Sequence, residues 1–159
     1  MYIQPNEMTR DEYEKLVEMV GRECIANKLR ILNRAVTAIY DEALRPHGVT
    51  IGQMTVLVTV SRMRHASPGA VGRLLHMEKS TLSRNVERMR ARGWLDARPA
   101  SDGRTTELHV SPVGRRLLRD AHSAWSRAQH RTREMLGTHG LGGIVRSVAR
   151  LSQVRPSGV

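Results

Sequence analysis

The residues best suited to chemistry lie between Glu78 and Met89. Leu82, Val86 and Met89 recur at i, i+4 and i+7, so a helix through this segment has one apolar stripe. Lys79, Ser80, Thr81, Ser83, Arg84 and Arg88 fall on the remaining surface. Short hydroxyl side chains at a helix start, followed one turn later by arginine, suit contacts with phosphates and base edges in a DNA groove. An ordinary solvated surface helix would instead alternate acidic and basic residues at i, i+4.

Other chemistries find little support. There is no Gly-x-Ser-x-Gly elbow, no phosphate-cradling glycine loop and no clustered carboxylate pair, so the chain is not expected to be an enzyme. None of the seven histidines has a partner at i+3 or i+4, and His122 and His130 are eight residues apart, so no metal site and no cofactor are expected. The single cysteine, Cys24, excludes an internal disulfide and reads either as a buried, inert thiol or as a redox sensor.

The elements around the basic segment give it a setting. Ser67-Pro68 is a helix start, with serine as cap and proline at the first helical position, and the helix that follows is expected to bury Val71, Leu74 and Leu75. Met77 and Glu78 form a short turn into the basic helix, which Arg92-Gly93 ends. Two short extended runs, 94–99 and 105–110, flank Asp102-Gly103, which predicts a β-hairpin with Arg104 near its tip. Helix, turn, helix and hairpin in this order form a winged helix-turn-helix.

Upstream, Thr9-Arg10-Asp11-Glu12 is a capping box, with Gly21 a candidate break in the helix it starts. Ile25, Leu29, Leu32, Val36, Ile39 and Ala43 form a heptad-like stripe that wants a partner helix, either within the monomer or across a dimer. Pro46 ends that helix, and Thr50-Ile51-Gly52-Gln53 caps the next, whose Val56, Leu57 and Val60 are expected in the core. Downstream, Ser111-Pro112 repeats the cap-plus-proline start. Val113, Leu117, Leu118, Ala121, Trp125, Ala128, Met135 and Leu136 then mark one long helix, which Gly137 breaks before a shorter one through Leu141 to Leu151.

Composition agrees with a nucleic-acid partner. The formal charge is +11, and it is unevenly spread: ten basic against four acidic groups in 62–104, nine against two in 113–155, but three against six in 1–23. With no phenylalanine and eight methionines, the core must be aliphatic and thioether-rich. No apolar run is long enough to span a membrane and the first residues lack a secretion signal, so a cytoplasmic location is expected.

Taken together, His47-Gly48-Val49-Thr50-Ile51-Gly52-Gln53, Leu74-Leu75, Ser80-Thr81-Leu82-Ser83-Arg84, the run Glu87 to Leu95 and Asp102-Gly103-Arg104 resemble, in order and spacing, the winged helix-turn-helix of the MarR family of bacterial transcription regulators. The resemblance spans about Cys24 to Trp125. It implies a mostly α fold with a β-hairpin wing, in which 1–46 and 112–159 form a dimerisation region and 47–111 binds DNA. It further implies a homodimeric, sequence-specific regulator, a repressor on a pseudo-palindromic double-stranded operator, released by a small aromatic or anionic effector. In that picture Lys79, Ser80, Thr81, Ser83 and Arg84 enter the major groove, Arg73 and Arg88 meet phosphates, and Arg104 serves the wing. Arg34, Tyr40, Met54, Met63 and Trp125 would line an effector cleft, or else serve only as packing. The alternatives are a constitutive, low-specificity architectural DNA-binding protein and a redox-sensing regulator that uses Cys24.

Overall fold

The computed structural model describes residues 8–100, 103 and 105–151. The chain divides into two compact units, with the boundary between Thr37 and Ala38.

In the first unit, helix α1 (Arg10–Glu23) starts on the expected capping box. The Thr9 N–H donates to Glu12 Oε2 at 2.8 Å and the Glu12 N–H to Thr9 Oγ1 at 3.3 Å. The Thr9 backbone N–H, and then its hydroxyl, hold the Glu12 carboxyl below the usual carboxylate range. Gly21 does not break α1, which runs on to Glu23 and stops at the extended residue Cys24. Glycine is tolerated within a helix, and here its neighbours carry enough helix preference to absorb its cost. Cys24 is half-exposed, which corrects the expectation of a buried thiol. Helix α2 (Ile25–Leu44) begins directly after it and crosses the boundary between the units.

The second unit carries the core. Leu44, Val56, Leu57, Val71 and Met89 are its largest fully buried side chains, an aliphatic and thioether set as the composition requires. After a 3₁₀ turn at Arg45–His47, helix α3 (Ile51–Arg62) buries Met54, Val56, Leu57 and Val60. Its valines and threonines would favour a strand by propensity, but local bonds favour the helix. Thr50 and Gln53 close a capping box at its start, satisfying two of its free N–H groups. Asp41 adds a bond that the sequence pattern did not reveal, its Oδ1 accepting from the Ile51 N–H at 2.7 Å. The last turn of α2 is thereby fastened to the first turn of α3.

Helix α4 (Pro68–Leu75) starts on the Ser67 cap and ends at His76, which takes the left-handed conformation (φ 49°). It buries Val71 and Gly72, whereas Leu74, expected in the core, is 62 % exposed. An eight-residue helix offers the core only one narrow edge, and the Val71–Gly72 edge leaves Leu74 outside it. Helix α5 (Lys79–Ala91) follows, buries Leu82 and Met89, and stops at Arg92 with Gly93 in the left-handed region.

Strands β1 (Leu95–Pro99) and β2 (Thr106–Val110) pair antiparallel, Leu95 opposite Val110 and Pro99 opposite Thr106. The hairpin is anchored by the Leu108 N–H, which donates to the Ala66 carbonyl at 2.9 Å, so the loop before α4 lies along β2.

Helix α6 (Pro112–Asp120) is capped by Ser111 as expected. The single long helix expected from Val113 to Leu136 is instead divided at Ala121, and α7 (His122–Leu151) starts one residue later. Of the expected stripe Ala121 and Ala128 are buried, but the face is completed by Ala124 and Thr132 rather than by Trp125 and Met135, because small residues at this spacing permit closer packing than the large ones beside them. Gly137, with φ 63° and ψ 172°, kinks α7 where a break was expected.

Candidate nucleic-acid interface

Helix α5 separates its two sides cleanly. Leu82 and Met89 are 3 % and 0 % exposed, whereas Lys79, Ser80, Thr81, Ser83, Arg84 and Arg88 are all exposed. Burying the two apolar side chains contributes about 1.5–3 kcal/mol each and fixes the rotation of the helix about its axis. That rotation alone presents the hydroxyl and arginine side chains outward.

Few internal bonds compete for these groups. The Arg84 Nε donates to the Ser80 carbonyl at 3.2 Å, which lays the guanidinium back along the first turn toward the exposed hydroxyls. Ser83 Oγ reaches Glu87 Oε1 only at 3.5 Å. Glu78 occupies the cap position of α5 without a side-chain bond to the helix, so the first-turn N–H groups are left for an outside acceptor. Arg73 is exposed in the last turn of α4. Two consecutive helices therefore offer cations, hydroxyls and amide donors, the set that contacts a phosphodiester backbone and groove-edge acceptors.

Arg92 has a different task. Its guanidinium donates to the Gly48 carbonyl and lies 4.9 Å from the centre of the Trp94 ring, which makes it a structural tie between the end of α5 and the turn before α3. At the wing base, His65 Nδ1 is 2.9 Å from Glu107 Oε1, and His109 Nε2 is 3.8 Å from Glu107 Oε2. The Arg92–Gly48 and His65–Glu107 contacts join residues more than forty positions apart, which no local pattern could signal. Arg104, assigned to the wing tip, lies outside the described residues, as does Asp102.

The candidate effector residues differ in exposure. Tyr40 and Met54 are buried, Met63 and Trp125 are half-buried, and Arg34 is exposed in the first unit. The Tyr40 hydroxyl donates to Gln129 Oε1. Met63 lines a cavity of about 290 Å³ with Val60, Ala66, Leu108 and Arg115, a set that omits Tyr40, Met54 and Trp125. Among the described residues, no group of three or more His, Cys, Asp or Glu is placed to hold a metal ion, and no helix is long and apolar enough to cross a membrane.

Helix-turn-helix, two-stranded wing and outward basic helix define a winged helix-turn-helix protein of the DNA-binding class. Residues 47–105 match the MarR family model. It is similar to the Mycobacterium tuberculosis transcriptional regulator MosR, solved in complex with DNA, with 28 % identity, a TM-score of 0.72 and coverage of 82 % of this chain and 95 % of that one. A probable transcriptional regulator from Pseudomonas aeruginosa matches at 25 % identity and a TM-score of 0.72 over 81 % of this chain and 97 % of its own. BpsR from Bordetella bronchiseptica, whose DNA binding is regulated by 6-hydroxynicotinic acid, shares the fold at 20 % identity and a TM-score of 0.73 over 84 % and 96 % of the two chains. No curated protein matches the chain.

Proposed function

We propose that this protein is a cytoplasmic, homodimeric repressor that reads a pseudo-palindromic operator and releases it when a small molecule binds. The observation that carries the reading is the outward set Ser80, Thr81, Ser83 and Arg84, held on a helix whose other side is locked by Leu82 and Met89. In this reading those four residues and Lys79 enter the major groove, Arg73 and Arg88 meet phosphates, and Arg104 serves the wing. Residues 47–111 form the DNA-binding part, and the helices of 1–46 and 112–159 join two copies.

A two-fold dimer would set two α5 helices about 34 Å apart, one turn of duplex, which is why the operator is expected to be pseudo-palindromic. Exposed apolar side chains support an interface: Leu29 and Ile31 on α2 are 59 % and 61 % exposed, and Val145, Val148 and Leu151 on α7 are 56–60 % exposed. Effector control is supported by BpsR, which responds to an aromatic acid, with Tyr40, Met54, Met63 and Trp125 the candidate contacts on this chain.

Footprinting on the DNA beside the protein's own gene tests the reading, because such regulators often control their neighbours. A protected, two-fold symmetric site with an affinity at least about a thousandfold above that for shuffled duplex is the expected result. Equal affinity for unrelated duplexes, with a steep salt slope, would identify an architectural protein instead.

A second reading has one observation in its favour: Cys24 is half-exposed, so peroxide can reach its thiol. Peroxide would then release DNA from the native protein but not from Cys24→Ser. Indifference of the native protein to peroxide ends this reading.

A further inference from the structure

The cavity of about 290 Å³ that Met63 lines opens where the end of α3, strand β2 and the start of α6 meet. Each of these places contributes one basic side chain to its wall: Arg64 from the bend after α3, His109 from β2 and Arg115 from α6. Among the described residues, Arg64 has no ion pair or hydrogen-bond partner. Arg115 donates through Nη1 to the Val110 carbonyl at 2.9 Å, which holds its guanidinium at the cavity and leaves its other N–H groups without a partner among the described residues. No described carboxylate lines the space, since Glu107, the acid beside His109, faces His65 at 2.9 Å and His109 at 3.8 Å from outside it.

The strand adds a main-chain donor. Ser111 N–H donates to the Trp94 carbonyl at 3.1 Å, so 94 and 111 are a bonded pair, and bonded pairs alternate along an antiparallel ladder. Val110, opposite Leu95, therefore turns its N–H and C=O away from β1. Two residues back, the Leu108 N–H points the same way and reaches the Ala66 carbonyl at 2.9 Å. The Val110 N–H thus lies on the cavity side of the strand.

Donors from three elements around one small space select the shape of an anion as well as its charge. A carboxylate offers two oxygens in one plane and a single charge, which cannot meet them all. A phosphate group offers three acceptor oxygens and up to two charges. The volume, about 290 Å³, sits at the lower limit of drug-sized sites, roughly 300–1,000 Å³, and suits a compact ion.

We propose that the cavity between α3, β2 and α6 binds a free phosphate group, either inorganic phosphate or the end of a small phosphomonoester. Arg64, His109 and Arg115 hold its oxygens, and the Val110 N–H meets one of them. The bound anion ties the base of the wing to the helices on either side of it. None of the residues assigned above to DNA lines this cavity, so the site stands or falls independently of the DNA-binding reading.

The test uses DNA-free full-length protein with ¹³C-labelled histidine rings, titrated at constant ionic strength with inorganic phosphate, with ribose 5-phosphate and with acetate. A saturable shift at His109, at least about tenfold tighter for one or both phosphates than for acetate, is expected. Tighter binding of ribose 5-phosphate identifies a phosphomonoester as the ligand, and equal affinity identifies the free ion. Arg64→Gln removes an exposed, unpartnered guanidinium and should weaken phosphate binding about tenfold or more. Arg116→Gln removes the same charge from an exposed neighbour outside the cavity and should change it less than about twofold. No saturation at His109 with either phosphate, equal affinity for acetate, or equal losses in the two variants overturns the proposal. The acetate comparison uses the native protein alone and decides the point should a variant not fold. Displacement of phosphate from His109 by a DNA duplex would make the cavity part of the DNA surface and overturn its assignment to a free ligand.

Discussion

Gly114 faces the carbonyl oxygen of Trp94 so closely that a Cβ on it would lie 2.3 Å from that oxygen and 2.9 Å from Cγ1 of Val110. Helix α6 can therefore seat itself on the base of the wing only because residue 114 has no side chain. Ser111 reinforces the same junction, its N–H donating to the Trp94 carbonyl at 3.1 Å and its hydroxyl to the Gly93 carbonyl at 2.5 Å. The end of α5, the start of β1 and the first turn of α6 thus share one set of bonds, and the orientation of the recognition helix depends on it.

Gly114→Ala is expected to destabilise the protein by about 1–3 kcal/mol, since backbone rather than a flexible side-chain end opposes the added methyl group. Urea denaturation followed by tryptophan fluorescence reports it directly through Trp94. An unchanged midpoint would show that α6 can slide on the hairpin at little cost.

For α5, Arg84→Ala should cost roughly 1–3 kcal/mol against the footprinted site and little against random duplex, as expected of a base contact. Arg88→Ala should weaken both equally and lower the salt slope by about 1, as expected of a phosphate contact. Fluorescence anisotropy at several salt concentrations separates the two. Equal losses on both duplexes for Arg84→Ala would move that residue to the backbone class.

The exposed face of α5 was more legible in the sequence than the bonds that hold it. Ser67-Pro68, Thr50 to Gln53 and Ser111-Pro112 place three helix starts, because a cap and its partner lie within a few residues of each other. Likewise, Leu82, Val86 and Met89 set the rotation of α5, so the exposed face could be named residue by residue. What periodicity misassigned was depth. Leu74 and Met135 are apolar at plausible spacing yet exposed, while Ala124 and Thr132, outside the expected stripe, are buried, because burial is decided by which neighbour approaches and not by hydrophobicity alone. The ties Asp41–Ile51, Arg92–Gly48 and His65–Glu107 join distant parts of the chain through single polar contacts. Such contacts leave no repeating pattern to read.

Arg92 illustrates how charge can mislead. Among the arginines near the end of α5 it is the one held by both a backbone carbonyl and an aromatic ring, so Arg92→Ala is expected to act on folding. A loss of about 1–2 kcal/mol in unfolding free energy, with a change in tryptophan emission, is the expected signature. Arg92→Lys should recover little of it, because an ammonium cannot both stack on the Trp94 ring and reach the Gly48 carbonyl as a planar guanidinium does. Operator affinity per folded molecule should stay near the native value in both variants. A large loss of affinity with native stability would place Arg92 on the DNA.

The backbone at His76 offers a test of the turn between α4 and α5. A non-glycine residue there holds φ at 49°, a conformation that costs free energy for side chains with a Cβ. His76→Gly is expected to stabilise the domain by up to about 1 kcal/mol, read as a raised urea midpoint, and an unchanged or lowered midpoint would show that the entropy added to the unfolded chain outweighs the strain relieved.

The proposed dimer makes a sharper demand. Val148 is 56 % exposed and shares one helical stripe with Leu141, Ile144, Val145 and Leu151, beyond the Gly137 kink in α7. A charge there costs nothing in an isolated protomer but must be desolvated in an interface. Val148→Glu is therefore expected to shift the sedimentation coefficient to that of a monomer while leaving far-UV circular dichroism unchanged. Operator affinity should fall far more than affinity for random duplex, because a monomer loses the second half-site while each recognition helix keeps its own contacts. A Val148→Glu protein that still sediments as a dimer would remove this stripe from the interface and leave α2 as the surface to test.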